Sequence, residues 1–244
     1  MRRWSSAVVL FTLTPEAEGA RKNLGLAGSG RAAALFAALI EHVETVCAGL
    51  TDADLLVASR SRVELPAGAR WLHQRGRNFG ESLRLAVEEA FALGYRRVVV
   101  LGNDAPEISR DYLETALDEL SGNERQAVVG PATDGGYNLL GLTEPCSAAF
   151  EAMPWGSSHV AELTTERLRE SGFQVAHLRA LADIDDARAL VRFLSRRRAG
   201  LERLIRRIRE LSEPVCWAIE ETPHHHEQLA IAGPPRLRAP PSLA

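Results

Sequence analysis

Residues 97–107 read Arg-Val-Val-Val-Leu-Gly-Asn-Asp-Ala-Pro-Glu, and they set the fold class. The four apolar residues 98–101 indicate a strand buried on both faces, which is typical of parallel sheets covered by helices. Gly102 and Asn103 end the strand, so Asp104 lies at its carboxyl end. A carboxylate there can hold a hard cation such as Mg²⁺ or Mn²⁺ against two phosphates. Asp104 is equally compatible with a simple Asx-turn before Pro106.

Before and after this strand, short runs rich in β-branched residues alternate with segments whose apolar residues have helical spacing. Strands are predicted at 7–13, 55–59, 70–73, 97–101, 127–129, 137–142 and 173–178. Helical stripes occur at 35–46, 83–91, 113–120 and 160–171, with Ser109 as an N-cap. The strand at 137–142 follows its predecessor too closely for a helical crossover, so it should pair antiparallel. We therefore predict an α/β fold of three α/β/α layers with a mixed, mostly parallel sheet.

Composition and charge narrow the class of protein further. The 244 residues suffice for one α/β domain and a tail, and the net charge of -3 gives no general attraction to nucleic acid. Nucleic acid is therefore not an expected partner. The apolar run at 7–13 is too short to span a membrane and has no cleavage site after it. The three cysteines match no zinc spacing. We expect a cytoplasmic protein without a transmembrane segment.

The C-terminal part is expected to differ from the domain that precedes it. We predict a domain over residues 1–211, ending in an arginine-rich helix from about Asp186 to Leu211, and a disordered tail over 212–244 that is rich in Pro and His. The Leu and Ile stripe of the helix would pack on the domain or form a homodimer, and its arginines could instead contact an anionic surface. The run His224–His226 could chelate a metal or be unordered.

A second motif, Gly130-Pro-Ala-Thr-Asp-Gly-Gly-Tyr137, lies between two predicted strands. Consecutive glycines allow backbone N–H groups to approach a ligand closely, because no Cβ intervenes. Asp134 beside them can accept hydrogen bonds from sugar hydroxyls or act as a base. Asp-Gly-Gly is also an ordinary hairpin turn, so the motif alone leaves both interpretations open.

Taken together, these segments resemble the DUF2064 family of GT-A-type proteins, often described as glycosyltransferases and similar in fold to nucleotidyltransferases. The resemblance extends from about Ala7 to Leu194. It is carried by five ordered segments: Gln74 with Phe79-Gly80-Glu81-Ser82-Leu83, Gly102-Asn103-Asp104-Ala105-Pro106-Glu107, Gly130-Pro131 with Asp134-Gly135-Gly136-Tyr137, Pro154-Trp155-Gly156-Ser157, and Asp183-Ile184-Asp185-Asp186.

The resemblance implies a GT-A (Rossmann-like) fold and a metal-dependent transferase that moves a sugar from a nucleoside-diphosphate sugar to a small acceptor. Asp104 would be a catalytic residue that binds Mg²⁺ or Mn²⁺, and Asp183 or Asp185 would reach the metal from the last strand. We assign Asp185, although it could instead be the N-cap of the terminal helix. Asp134 would be the second catalytic residue. The sugar or acceptor pocket would also include Gly135, Gly136 and Tyr137.

Two further binding residues follow from the resemblance. Gln74 belongs to the first of the five segments and is assigned to the nucleotide or sugar. Trp155 could stack on a ring of the ligand, and it could equally be a buried tryptophan that anchors a loop.

The first loop departs from the family, which has basic residues there in a pattern like Lys-x-Pro-x-Pro-Gly-x-Val-Lys-Thr-Arg-Leu. Leu13 replaces the first lysine and Asn23 replaces the arginine. Glu16 and Glu18 would repel a diphosphate. The residues left to bind phosphate are Arg21 and Lys22. A nucleotidyltransferase that acts on a phosphorylated small molecule is the second interpretation, although the Glu-bearing loop is poorly suited to hold a triphosphate. The loss of the basic residues at positions 13 and 23 supports a third, a non-catalytic ligand- or partner-binding family member.

Overall fold

Strands and helices alternate along the chain in the computed structural model, which describes residues 4–26, 29–122, 124–196 and 198–220. The strands are β1 (Ser6–Phe11), β2 (Ala53–Ser59), β3 (Arg70–His73), β4 (Arg97–Leu101), β5 (Gln126–Pro131), β6 (Tyr137–Leu142) and β7 (Gln174–His177). The helices are α1 (Pro15–Arg21), α2 (Ser29–Ala48), α3 (Phe79–Ala92), α4 (Arg110–Asp118), α5 (Val160–Glu170), α6 (Ala187–Ser195) and α7 (Glu202–Glu220). Within the described ranges, no helix combines the length and the apolar character needed to cross a bilayer.

The seven strands form one sheet in the order β3-β2-β1-β4-β6-β5-β7. β1 pairs parallel with both β2 and β4, whereas β6 pairs antiparallel with both of its neighbours, β4 and β5. The mixed, mostly parallel sheet and the antiparallel pairing of 137–142 are thus confirmed. The central strands are apolar on both faces, because helices cover both sides.

Two helices cover each face of the sheet. α3 and α5 pack on one face, through Leu83, Val87 and Leu168 among others. α2 and α4 pack on the other face, where Val43 and Leu113 are almost completely buried. Burying each such side chain stabilises the fold by about 1.5–3 kcal/mol. The predicted three α/β/α layers are therefore present. Ser109 caps α4 as predicted, since its hydroxyl accepts a hydrogen bond from the Tyr112 amide at 3.2 Å.

The terminal helix differs from its prediction. Instead of one helix over 186–211 there are two, α6 and α7, separated by a turn in which Gly200 has φ +82°. A left-handed backbone of this kind cannot continue a helix. α7 also continues to Glu220, past the predicted end at Leu211.

α6 and α7 pack on the outer side of α2 rather than on the sheet. Ile205 and Ile208 of α7 are buried in a cluster with Leu35 and Leu39 of α2. The apolar stripe of the arginine-rich segment thus packs on its own domain, and the homodimer stays a prediction. Residues 221–244, with His224–His226, lie outside the described residues.

Candidate active site

A cavity of about 300 Å³ lies at the carboxyl ends of β1 and β4. The strand order reverses here, because β2 and β3 lie on one side of β1 and β4 lies on the other. Open α/β sheets bind ligands at this point, and the volume is at the lower end for small-molecule sites. Among the residues that line the cavity are Phe11, Thr12, Glu18, Arg21, Gln74, Phe79, Asn103, Asp104, Tyr137 and Asp183.

Beside this cavity, three chain segments bring four aspartates together. Asp104 follows β4, Asp134 lies in the turn between β5 and β6, and Asp183 and Asp185 precede α6. The backbone amide of Ile184 donates to the Asp104 carbonyl at 2.9 Å, which ties the last segment to the end of β4. Carboxylate oxygens of Asp134, Asp183 and Asp185 can all lie within 4.8 Å of one another. Such a set of hard oxygen donors suits Mg²⁺ or Mn²⁺.

Asp183 lies in surroundings that disfavour its charged form. Burial, and then the charges of Asp104, Asp185 and Asp134, raise the pKa of Asp183 to about 8. Its Oδ1 atom is buried without a hydrogen-bond partner. A divalent cation would satisfy that oxygen and offset the mutual repulsion, so the residues present fit a metal. The structure brings Asp183 into the cluster together with Asp185, and a metal at either residue stays a prediction.

Asp185 does not cap the terminal helix. The N-cap of α6 is the next residue, Asp186, whose carboxylate accepts from the Ala189 amide at 2.7 Å. The alternative interpretation of Asp185 as a cap is therefore wrong, and its carboxylate belongs to the cluster instead.

Lys22 lies against the carboxylates rather than in the cavity. Its Nζ donates to Oδ2 of Asp104 at 2.8 Å and also contacts Oδ1 of Asp185. Burial alone would lower the pKa of Lys22, but the two carboxylates, Asp104 foremost, raise it above its usual range. Lys22 is therefore an ammonium at any physiological pH. Its neighbour Arg21 lines the cavity, with Nε 3.7 Å from Glu18.

The first loop is a helix, α1, which the family pattern did not predict. Thr14 caps it and Pro15 opens it, and both are ordinary signals of a helix start. Glu18 is almost fully buried in this helix, with Oε1 accepting from the Leu13 amide at 3.1 Å and from Nδ2 of Asn103 at 3.3 Å. Because one donor lies in the first loop and the other directly after β4, Glu18 fixes the loop to the end of β4. No sequence signal pointed to this network.

Tyr137 and Gln74 line the cavity, as their assignment to the ligand requires. The Tyr137 hydroxyl is buried without a partner, and burial raises the pKa of Tyr137, so the group stays protonated and can donate to a ligand. Nε2 of Gln74 already donates to the carbonyls of Thr12 and Ala58, at 2.9 and 2.8 Å. Only the amide oxygen of Gln74 is left for a ligand.

Gly135, Gly136 and Trp155 lie outside the cavity lining. Gly135 belongs to the hairpin turn, with φ +95°, and a Cβ there would come 2.1 Å from the Ser158 carbonyl oxygen. The amide of Gly136 donates to Asp134 at 2.9 Å, which is an Asx-turn. Thus the glycines fit close protein packing, and the hairpin interpretation describes the local geometry.

Trp155 packs against other side chains, as expected for a tryptophan that anchors a loop. Its ring packs edge-to-face on Phe79 and Tyr137, with centroids 4.9 and 6.2 Å apart, and a Cβ on Gly80 would come 2.4 Å from Nε1 of Trp155. Trp155 therefore anchors the loop over the start of α3, and its neighbour Phe79 faces the cavity instead. Phe79 is 46% exposed, which is unusual for a large apolar side chain, and lies where a ring could stack.

Glu107 of the 102–107 motif lies away from the cavity. It pairs with Arg198, whose Nε and Nη2 lie 2.7 Å from Oε1, and Arg179 lies 3.8 Å from Oε2. Arg198 belongs to the turn between α6 and α7. The role of Glu107 is thus to hold the terminal helices to the segment after β4.

The layers, the strand order and the site at the switch point define a three-layer α/β protein of the GT-A (Rossmann-like) class. The model of the DUF2064 family, described as an uncharacterized protein conserved in bacteria, matches residues 32–157, just over half of the chain. The chain belongs to the DUF2064 family. No curated protein matches it.

Several solved structures are similar to this chain. A protein from Desulfovibrio desulfuricans G20, provisionally described as a nucleotide-diphospho-sugar transferase, is 26% identical with a TM-score of 0.78, over 88% of this chain and 98% of that chain. A mannosyltransferase from Pyrobaculum calidifontis, in complex with GDP-Man and Mn²⁺, is 10% identical with a TM-score of 0.47, over 88% of this chain and 72% of that chain.

Proposed function

We propose that this protein is a metal-dependent transferase that binds a nucleoside-diphosphate sugar and transfers the sugar to a small acceptor. The observation that carries the proposal is the meeting of four carboxylates, from three segments, beside a cavity at the switch point of the sheet. The description of the Desulfovibrio relative as a nucleotide-diphospho-sugar transferase supports the same substrate class.

The residues divide into a metal part and a ligand part. Asp104, Asp134, Asp183 and Asp185 would hold Mg²⁺ or Mn²⁺, which when bound supplies charge that stabilises the departing nucleoside diphosphate. Asp104 and Asp134 stay the proposed catalytic residues, with Asp134 also placed to orient a sugar or acceptor hydroxyl.

The ligand part is formed by side chains that line the cavity. Arg21 would bind phosphate, and the unpaired hydroxyl of Tyr137 and the amide oxygen of Gln74 would bind sugar or base. Phe79 offers an exposed ring on which a nucleobase could stack. No covalent step involving a protein nucleophile is proposed.

A nucleotidyltransferase is the second candidate, and the geometry of the first loop disfavours it. Cradling a triphosphate requires free backbone amides in that loop. Here Pro15 has no N–H, the Ala17 and Glu18 amides bond to Thr14, and the Leu13 amide is taken by Glu18. A non-catalytic family member would keep ligand binding and lack turnover.

Thermal denaturation in the presence of nucleotides tests the proposal. Nucleoside-diphosphate sugars should raise the melting temperature only when Mn²⁺ is present, and nucleoside triphosphates should raise it less. Asp104→Asn should abolish the metal-dependent increase in melting temperature. Asp118→Asn, on the exposed surface of α4, should retain it. If no nucleotide stabilises the protein, or if Asp104→Asn leaves the shift intact, the proposal fails. Stabilisation without transfer to any small acceptor would identify the non-catalytic alternative.

A further inference from the structure

Lys22 bridges two of the four aspartates in the proposed metal site. Its Nζ lies 2.8 Å from Asp104 and also contacts Asp185, although these residues are far apart in the chain. The Lys22 side chain is 11% exposed, whereas those of Asp104 and Asp185 are 24% and 48% exposed. Lys22 is therefore the most buried of the three side chains, and its ammonium lies between the two carboxylates.

Hydrogen bonds hold the backbone around Lys22 in place. The ammonium can therefore move only by rotation of the Lys22 side chain. The Lys22 amide donates to the Glu18 carbonyl at 3.3 Å, and the Ala187 amide donates to the Asn23 carbonyl at 3.1 Å. These bonds tie the end of α1 to the start of α6. The lysine side chain, in contrast, has four rotatable bonds and a compact charge that can point in several directions.

We propose that Lys22 is an internal cation that occupies the metal-binding carboxylates of the free protein and leaves Asp104 and Asp185 when Mg²⁺ or Mn²⁺ binds. This inference rests on the proposed function. The physical reason is that a carboxylate oxygen which accepts the ammonium cannot also coordinate a metal in the same direction. The ammonium and a divalent cation would moreover repel each other across a few ångströms.

One consequence is that metal and diphosphate reinforce each other's binding. Lys22 directly follows Arg21, which lines the cavity, so in this proposal the released ammonium becomes available to a phosphate bound there. A diphosphate that binds the ammonium makes its departure from the carboxylates easier, and by linkage the metal raises the affinity for diphosphate to the same degree.

The first test measures Mn²⁺ binding to the protein alone, by the electron paramagnetic resonance signal of free Mn²⁺. Lys22→Met should bind Mn²⁺ at least about tenfold more tightly than the native chain, because two charged hydrogen bonds no longer have to be broken first. Lys22→Arg retains the positive charge, so its affinity for Mn²⁺ should stay as weak as that of the native chain. Arg125→Met removes an exposed positive charge just before β5, at the opposite end of the strands from the aspartates, and should change the affinity by less than about twofold.

The second test uses the fact that Lys22 is the only lysine in the chain. Acetylation of that side chain, followed by mass spectrometry of the peptide that contains it, should be slow in EDTA and several-fold faster in Mg²⁺. This measurement uses the native chain and so remains valid if Lys22→Met fails to fold.

The outcomes separate this inference from the proposed function. Equal Mn²⁺ affinity of Lys22→Met and the native chain, or an acetylation rate that saturating Mg²⁺ leaves unchanged or lowers, overturns the inference while metal-dependent binding of nucleotide sugars stands. If neither the native chain nor Lys22→Met binds Mn²⁺, both the inference and the metal dependence of the proposed function are wrong.

Discussion

Replacing Asp183 by asparagine is expected to stabilise the metal-free protein at neutral pH, although most substitutions of part-buried residues destabilise. Burial and the charges of Asp104, Asp185 and Asp134 raise the pKa of Asp183 from 3.8 to about 8. Between these two values the unfolded chain has released a proton that the folded chain still binds. The free energy of unfolding therefore falls as the pH rises from about 4 to about 8, and the loss is complete above that range.

The size of the effect follows from the same values. At about 1.4 kcal/mol per pKa unit, the penalty that Asp183 imposes on the folded state reaches roughly 4 kcal/mol at pH 7. Relaxation of the neighbouring aspartates and access of water reduce this figure, so we expect Asp183→Asn to stabilise by about 1–3 kcal/mol at pH 7. Because asparagine does not titrate, the gain should vanish near pH 4.

Urea denaturation in EDTA at several pH values between about 4.5 and about 8.5 measures this difference. Asp52→Asn is the matched control. Asp52 directly precedes β2, at the opposite end of the strands from the site, and its ion pair with Arg97 is long, at 4.0 Å. It should change stability by less than about 0.5 kcal/mol at every pH.

The same variant also tests the metal site. Mg²⁺ should stabilise the native chain, because it binds the folded state alone, and should stabilise Asp183→Asn much less. Destabilisation of the metal-free Asp183→Asn variant at pH 8, or a gain that does not depend on pH, would refute the reasoning, since either result means that the clustered charges do not control the site.

Three further substitutions have defined expectations. Gly135→Ala should destabilise by more than about 2 kcal/mol in urea denaturation, because the new Cβ overlaps a carbonyl oxygen and the φ of +95° is strained. Glu107→Gln should lower the free energy of unfolding by about 1–2 kcal/mol, measured by thermal denaturation, because it breaks a well-aligned pair with Arg198. Tyr137→Phe should leave stability unchanged or raise it by up to about 1 kcal/mol, because an unpaired buried hydroxyl is removed, and should weaken nucleotide-sugar binding in calorimetry about fivefold.

The first two of these substitutions have a control on another part of the chain. Gly68 has a similar φ, +84°, but an added Cβ there would meet no neighbouring atom. Gly68→Ala should therefore lower the free energy of unfolding by only about 1 kcal/mol, and the comparison separates backbone strain from steric overlap. Glu114→Gln breaks an exposed pair within α4 and should cost less than about 0.5 kcal/mol. A Tyr137→Phe variant with unchanged affinity would remove that hydroxyl from the proposed ligand site.

The fold could be predicted from the sequence because its signals are local. An apolar run such as 97–101 must be buried on both sides, and the short link between β5 and β6 excludes a helical crossover. The break between α6 and α7 was missed because helical periodicity continues through it. α1 was missed for another reason: Pro15 and Glu16 are signals of a helix start, but the resemblance to a phosphate-binding loop led to a different prediction.

The site could be predicted only in part, since contacts between its residues depend on where strand ends meet. Asp104 and Asp134 follow or connect strands, so their edge of the sheet was predictable. Which member of Asp183-Ile184-Asp185-Asp186 caps α6 depends on one residue of backbone register, which sequence signals do not resolve. The partners of Lys22 are 82 and 163 residues away, and no periodicity connects them.

The contacts of Lys22 change what the altered first loop implies. Counting residues, the loop keeps two cations for phosphate, Arg21 and Lys22, after losing two at positions 13 and 23. In the structure, Arg21 is near the carboxylate of Glu18, and Lys22 is paired with Asp104 and Asp185. If Lys22 leaves the aspartates when a metal binds, as proposed above, the loss of basic residues does not by itself abolish phosphate binding, because the freed ammonium can bind phosphate. Phosphate affinity should therefore depend on the metal more strongly than in a protein whose first loop carries permanently free lysines.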